Sequence, residues 1–300
     1  MALDSAQLSA FAAVVDEGSF ERAAAVLHVT RSAVSQRIKL LEERVGQVLV
    51  RRAAPCTPTE AGQALYRHAR EVALSEADAL DAIGGGQHTS TRLAVGVNAD
   101  SLATWLPLAM ARAAEGQNIT FDIHVEDQDH SANLLREGRV MAAVTADPQP
   151  VQGCKVLPLG VLRYRALASP AFMQRHFAAG VTAATLAQAP MLVFNRKDAL
   201  QDRFVRRVTR RAIAPPVHWL PEAHAFVTTT RAGLGWGMIP DPMVVDARKA
   251  GELVELIPGK PVDVALYWQY WRLNVRALNH MTEAVREAAA SVLLGTGVKG

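Results

Sequence analysis

Only two cysteines, Cys56 and Cys154, occur in the chain. They stand far apart and have no Cys or His partner at metal-ligand spacing, which argues against a disulfide framework and against a zinc site. Long apolar runs are missing as well, since none reaches the roughly 18–20 residues that cross a bilayer. The opening stretch MALDSAQLSAFAAVVDEGSF carries Asp4, Asp16 and Glu17 and lacks a basic start, so it reads as an amphipathic helix and not as a signal peptide. The expected compartment is the cytoplasm, with no membrane partner. Catalytic signatures are also lacking. There is no GxSxG or HExxH, no GxGxxG between a strand and a helix, and the histidines are scattered. Without a nucleophile–base pair, a metal cluster or a cofactor loop, the expectation is a non-enzyme that carries no cofactor.

What is present is the composition of a soluble globular protein, 50% hydrophobic and 20% charged. A chain of 300 residues has room for two or three domains. The formal net charge of +3 says little, but its distribution says more. Between Thr30 and Arg52, six cations (Arg31, Arg37, Lys39, Arg44, Arg51, Arg52) face two acids, Glu42 and Glu43. Such a stripe is the electrostatic footprint of phosphate contact.

The first sixty residues read as short helices. Leu8, Phe11, Val14 and Val15 have helical spacing, and Gly18 ends that helix. Ser19 is an N-cap for a second helix containing Arg22, Ala23 and Ala24. Thr30 restarts the pattern, with Ala33, Val34, Ile38 and Leu41 on one face. After Pro58, Thr59 caps a long helix reaching Ile83, with Leu65, Ala69, Val72, Glu76, Ala79 and Ile83 at mostly heptad-like steps. A narrow stripe of this kind asks for a partner helix. Gly84-Gly85-Gly86 and the polar residues 87–90 then form a linker.

From Thr91 the grammar changes to strands alternating with helices: strands at 93–97, 119–125 and 140–146, with helices from about Ser101 and near 132–137. This βαβαβ order predicts a parallel or mostly parallel sheet. It returns with a strand at 191–195, a basic helix around 202–211 and a strand at 236–240. A last strand at 262–271 precedes a terminal helix over 275–294. Two α/β units with ligand space between them follow from this order.

The stretch 19–52 has the logic of a helix-turn-helix, placed at about 20–39. Ala23 and Ala24 allow close helix approach, Leu27 and Val29 form the hinge, and Val34 and Ile38 anchor the third helix. Arg31, Ser32, Ser35, Gln36 and Lys39, with Thr30 at the start, then point outward to read base edges in the major groove. Arg37 serves either the groove wall or a phosphate. Arg51 and Arg52 follow the Gly46 turn onto a β-wing that contacts the backbone.

These residues carry a resemblance. SFERAA at 19–24, SAVSQRIKLLE at 32–42 and PTEAG at 58–62 resemble the winged helix-turn-helix of LysR-type transcriptional regulators. The fold implied is an N-terminal all-α winged helix-turn-helix plus a long linker helix, then a C-terminal α/β two-lobed periplasmic-binding-protein-like domain. The domains implied are 1–58 for DNA, 59–90 for the dimerising linker helix and hinge, and 91–300 for effector binding. Lobe one would take 91–159 and 262–300, and lobe two 160–261. The partners implied are double-stranded DNA with an interrupted palindromic operator, a small-molecule effector, further copies of the chain in a dimer or tetramer, and RNA polymerase.

VNADSLATWL at 97–106, VED at 125–127 and LYW at 266–268 are similar to the LysG/ArgP-type subset. Such regulators sense lysine or arginine and control genes such as a basic amino acid exporter; some members are described as inhibitors of chromosome replication initiation. The residues suit such an effector. Asp100, Ser101 and Leu102 open a helix after the first strand, where free N–H groups and the Ser101 hydroxyl seat an α-carboxylate. Glu126 and Asp127, at the second strand's end, answer the ligand's cations. Thr145 and Asp147 lie at the equivalent end of the third. Where relatives tend to show a Ser-Ser-Glu-like turn, this chain reads Glu222-Ala223-His224. A LysR-type regulator with a different small effector, and a solute-binding protein, are the alternatives weighed. The latter is disfavoured by the fused basic head.

Overall fold

A computed structural model describes residues 3–83 and 90–295. The Gly84–Gly86 break and residues 87–89 of the expected linker lie outside the described residues. The head consists of α1 (Ser5–Glu17), α2 (Phe20–Val26) and α3 (Arg31–Val45), followed by β1 (Val50–Arg51) and β2 (Thr57–Pro58). Each helix starts where its sequence offers an oxygen to the free N–H groups of the first turn. Asp4 accepts from Gln7 N at 2.9 Å, Ser19 from Arg22 N at 3.4 Å and Thr30 from Ala33 N at 3.2 Å. Phe11, Val14, Phe20, Ala23, Val34, Ile38 and Leu41 close one small core, with Leu49 and Val50 beneath it. The β1–β2 pair that follows Gly46 is antiparallel, and Arg52 lies just past the end of β1.

The long helix α4 (Glu60–Ala82) begins at Thr59, whose hydroxyl accepts from Gly62 N at 3.1 Å. Its heptad-like stripe divides. Ala69 is buried within the chain, Leu65 and Val72 are half-buried, and Glu76, Ala79 and Ile83 remain exposed. The side that docks is a different one: Tyr66 enters the head core and Leu74 the core of the second domain. Heptad counting missed that face because Tyr66 and Leu74 stand eight residues apart and dock on different domains. Polar contacts from one turn of the helix, residues 66–70, tie it to both domains. The Tyr66 hydroxyl and Arg70 meet Asp16 of α1, while Arg67 donates to the carbonyls of Gln152 (2.8 Å) and Gly153 (3.1 Å) and covers Trp271.

The second domain comprises β3 (Thr91–Val97), α5 (Ala99–Thr104), α6 (Leu106–Ala114), β4 (Ile119–Val125), α7 (Ser131–Arg136), β5 (Ala142–Thr145) and β6 (Cys154–Ala168). It continues through α8 (Pro170–Phe177), α9 (Ala183–Gln188), β7 (Met191–Val193), α10 (Leu200–Thr209), β8 (Val217–Trp219), α11 (Ala223–Arg231) and β9 (Gly237–Pro240). After these come α12 (Val245–Lys249), β10 (Val254–Glu255), β11 (Val262–Trp271) and α13 (Arg276–Val292). The expected parallel part exists as β4–β3–β5. The sheet as a whole is mixed, because β11 runs antiparallel to both β5 and β6. Its seven-stranded order is β10-β6-β11-β5-β3-β4, with β9 also on β6, while β7 and β8 pair separately in parallel.

The longest strand, β6, escaped the sequence reading because Pro158 and Gly160 look like breakers. They sit instead at a bulge. Leu266 faces Gly160 and Tyr267 faces Pro158, which leaves Leu159 without an opposite residue. Gly160 has φ 137°, and a Cβ there would stand 2.7 Å from the Leu294 carbonyl oxygen and 2.8 Å from Leu293 Cβ. The expected boundary between 159 and 160 therefore falls at a distortion within a continuous strand. Four buried tryptophans (105, 236, 268, 271) fill the cores, with Trp268 Nε1 donating to Thr282 of α13 at 3.1 Å. Among the described residues no helix is long and apolar enough to cross a membrane.

Candidate functional site

The side chains expected to face outward from the helix-turn-helix differ in exposure. Arg31, Ser32, Gln36 and Lys39 are exposed on α3, and Ser35 and Arg37 are half-buried beside them. Thr30 is spent on the cap. Arg31 Nε lies 2.9 Å from Glu21 Oε1 of α2, so the first outward cation of α3 is oriented by the preceding helix. Lys39 pairs weakly with Glu43 at 3.7 Å. Arg51 is exposed on β1, and the Arg52 guanidinium stands 5.2 Å from the Phe20 ring centroid. Arg31, Ser35 and Arg52 line one groove of the head, whereas Arg51 lines another beside Arg22, Arg70 and Asp16.

A second concave site lies where the C-terminal ends of β3 and β4 meet those of β7 and β9. It encloses a cavity of about 120 Å³ that opens to solvent. Four carboxylates line it, from Asp100, Glu126, Asp127 and Asp198, and among the described residues no Lys, Arg or His does. An apolar wall faces them, built from Phe194, Leu200, Phe226, Met238, Ile239 and Met243. Asn98, only 3% exposed, also lines the cavity, and neither its carboxamide oxygen nor its nitrogen has a partner in the protein.

The carboxylates differ in their surroundings. Burial pushes the Asp100 carboxyl up to about 6, although the Tyr164 hydroxyl donates to it at 2.7 Å, and Asp198 and Asp127 add like charge. Burial raises Asp127 as well. Burial acts on Glu126 in the same sense, but it ends below its ordinary value because Lys197 and the Asp127 N–H donate to it. Asp198 is structural within its loop, accepting from Phe194 N at 3.1 Å and Leu200 N at 3.0 Å. Asp100 and Asp127 are therefore the carboxylates with capacity left for a cation.

Three of the expected residues, Asp100, Glu126 and Asp127, come together here; the others go elsewhere. Ser101 is fully buried behind the cavity, its hydroxyl unpaired, and Leu102 packs on the core. Thr145 donates to the Asp147 carbonyl and accepts from the buried Gln269, while Asp147 bonds Gln149 N in its own turn. These two belong to a network that fastens β5 to β11, because β11 occupies the position beside β5 where a parallel sheet would have left an open strand end. Glu222 accepts from the N–H groups of His224 (2.9 Å) and Ala225 (2.5 Å), caps α11, and is held below its usual range by them. His224 is exposed in a neighbouring surface groove. The residues that sequence reasoning missed are Asn98, Gln128, Asp198 and Phe226. Asp198 was findable, since the strand-end rule applied at Glu126 holds equally after β7. Among the described residues no cluster could hold a metal ion.

Comparison with known proteins agrees with this architecture. Residues 5–63 match the family "Bacterial regulatory helix-turn-helix protein, lysR family", and residues 86–290 match the "LysR substrate binding domain". The chain is 48% identical over 294 residues to the HTH-type transcriptional regulator LysG of Mycobacterium tuberculosis, covering 98% of this chain and 96% of that protein. It is 42% identical to the lysine export transcriptional regulatory protein LysG of Corynebacterium efficiens, covering 93% of this chain and 96% of the relative. Among solved structures, the full-length LysG of Corynebacterium glutamicum with bound effector Arg superposes with a TM-score of 0.78 at 38% identity, covering 97% of this chain and all of that one. Over nearly its whole length, from the cationic head to the carboxylate-lined cavity, this chain belongs to the LysR family of DNA-binding transcriptional regulators.

Proposed function

We propose that this regulator is cytoplasmic, takes L-lysine or L-arginine into the cavity at the ends of β3, β4, β7 and β9, and controls target genes such as a basic amino acid exporter. The observation that carries this reading is the lining: four carboxylates together with apolar side chains, and no Lys, Arg or His among the described lining residues. A basic amino acid has the matching distribution, with two cationic groups joined by a methylene stem that prefers apolar surface. Its α-carboxylate would find N–H groups at the first turn of α5 and the unpaired Asn98 amide. The Arg-bound relative supports the same class of ligand. A thermal-shift series over the twenty amino acids tests it. L-lysine or L-arginine should raise the melting temperature in a concentration-dependent manner. No response to either would overturn the assignment.

On the DNA side, Arg31, Ser32, Ser35, Gln36 and Lys39 form the reading face, Thr30 and Arg37 flank it, and Arg51 and Arg52 on the hairpin act as wing contacts. The exposed Leu80 and Ile83, 49% and 78% accessible, support pairing of α4 with that of a second copy on an interrupted palindrome. On this reading the hinge between lobe one (91–159 and 262–300) and lobe two (160–261) falls near the bulge at Gly160, opposite Leu266. Effector binding would then shift the population of lobe and head arrangements. Arg31→Ala or Gln36→Ala should cost about 1–3 kcal/mol at the operator and relax discrimination between sites. Arg52→Ala should instead weaken all duplexes alike and flatten the salt dependence. Gel shifts with operator and scrambled DNA across a salt series read both; intact specific binding in all three variants would sink the assignment.

A further inference from the structure

One cation does reach the carboxylates, and it comes from the chain itself. Lys197 sits in the tight loop between β7 and α10, where Asn195 Oδ1 accepts from Lys197 N at 2.7 Å and from Asp198 N at 3.2 Å. From this loop its ammonium crosses to the end of β4 and donates to both oxygens of Glu126 at 2.8 Å. The Lys197 side chain is 52% exposed and the Glu126 side chain 25%, so the lysine approaches from the solvent side while the acid lines the cavity. A second pair, Arg203 with Asp129, joins the same two segments further out.

We propose that Lys197 is a tethered stand-in for the effector's side-chain cation: it holds Glu126 in the unliganded protein and is displaced when a cationic effector binds. The inference rests on the effector reading above and adds a specificity-determining residue to it. Glu126 is never without a positive partner, so neither state bears an uncompensated carboxylate at the mouth. Lys197 also sets a threshold. A neutral-side-chain amino acid of equal length cannot displace it and gains nothing at Glu126, whereas lysine and arginine must outcompete a lysine already in place. At Glu126 one cation is exchanged for another, so the charge beside that carboxylate does not change.

Isothermal titration of the full-length protein with L-lysine and with L-norleucine, its uncharged analogue, tests this. Lys197→Met should tighten L-lysine binding by about two- to fivefold, the range spanned by exposed ion pairs, and leave L-norleucine unchanged. In a Glu126→Gln background the same substitution should bring no gain. A tightening of both ligands, an L-lysine affinity that is unchanged or weaker in Lys197→Met, or a gain that persists with Glu126→Gln would overturn the stand-in role. If the unaltered protein binds neither L-lysine nor L-arginine, the effector reading itself fails. Lys197 and Glu126 are both partly exposed, so unliganded Lys197→Met should melt close to the parent protein; a large fall would mark the lysine as a structural strap instead.

Discussion

Asp100→Asn is expected to weaken the binding of L-lysine or L-arginine at least about thirtyfold while making the unliganded protein more stable at pH 8. The two effects have one cause. The Asp100 carboxyl is desolvated, and the Tyr164 hydroxyl donates to it at 2.7 Å. Ionised and without a cation it destabilises the fold; opposite a ligand ammonium it becomes half of a buried ion pair. Losing one member of such a pair costs about 2–5 kcal/mol, and each 1.4 kcal/mol is about a factor of ten. The asparagine keeps an acceptor for Tyr164, so the geometry of β6 need not change.

The same residue gives the sensor a pH dependence. Its carboxyl titrates near 6 in the folded chain against an ordinary 3.8. The folded state thus holds this proton more tightly than the unfolded one, and the associated stability is present at low pH and is lost as pH rises through 6. A cationic effector favours the ionised form, so below pH 6 its binding must expel the proton. Affinity should therefore be flat above about pH 7 and fall by up to about tenfold per unit below 6. Titrations in buffers of different ionisation enthalpy would show the released proton. Asp100→Asn should abolish both the slope and the release; a slope that survives the substitution would assign the proton to another group.

Gly62→Ala is expected to disable the head selectively. Gly62 lies in the first turn of α4, and a Cβ there would stand 2.1 Å from the Leu49 carbonyl oxygen and 3.2 Å from Pro58 Cβ. That carbonyl already accepts from Thr59 N at 2.9 Å, while the Thr59 hydroxyl donates to Val48 O at 2.7 Å. The added methyl therefore meets backbone, which cannot rotate away as a side chain would. Overpacking of this kind costs about 1–3 kcal/mol, and a displaced Thr59–Leu49 bond adds about 1 kcal/mol. A domain of about sixty residues has little stability in reserve. Operator binding should be lost and the first melting transition lowered, with L-lysine binding by the second domain kept. Unaltered DNA affinity in Gly62→Ala would show that the hairpin can yield.

The head was legible because its determinants are local. Caps at Asp4, Ser19 and Thr30, helical spacing of Phe11, Val14, Val34 and Ile38, and the outward set Arg31, Gln36 and Lys39 all act within one or two turns. Glu126 and Asp127 were legible for a similar reason, since a strand followed by acids marks its own end. The distribution of the rest was settled by non-local pairing. Whether Thr145 faces a ligand or the core depends on β11, more than a hundred residues away, whose Gln269 takes up its hydroxyl. Whether Pro158 and Gly160 break a strand or bend one depends on the bulge opposite Leu266 and Tyr267. Asn98 and Phe226 line one cavity only because the ends of four strands converge there. Short-range chemistry in the sequence thus determined the helices, their caps and the polar, cationic character of the outward side of α3. The tertiary structure alone decided which polar groups remain unpaired at the cavity, because satisfaction of a buried group depends on neighbours that no local spacing encodes.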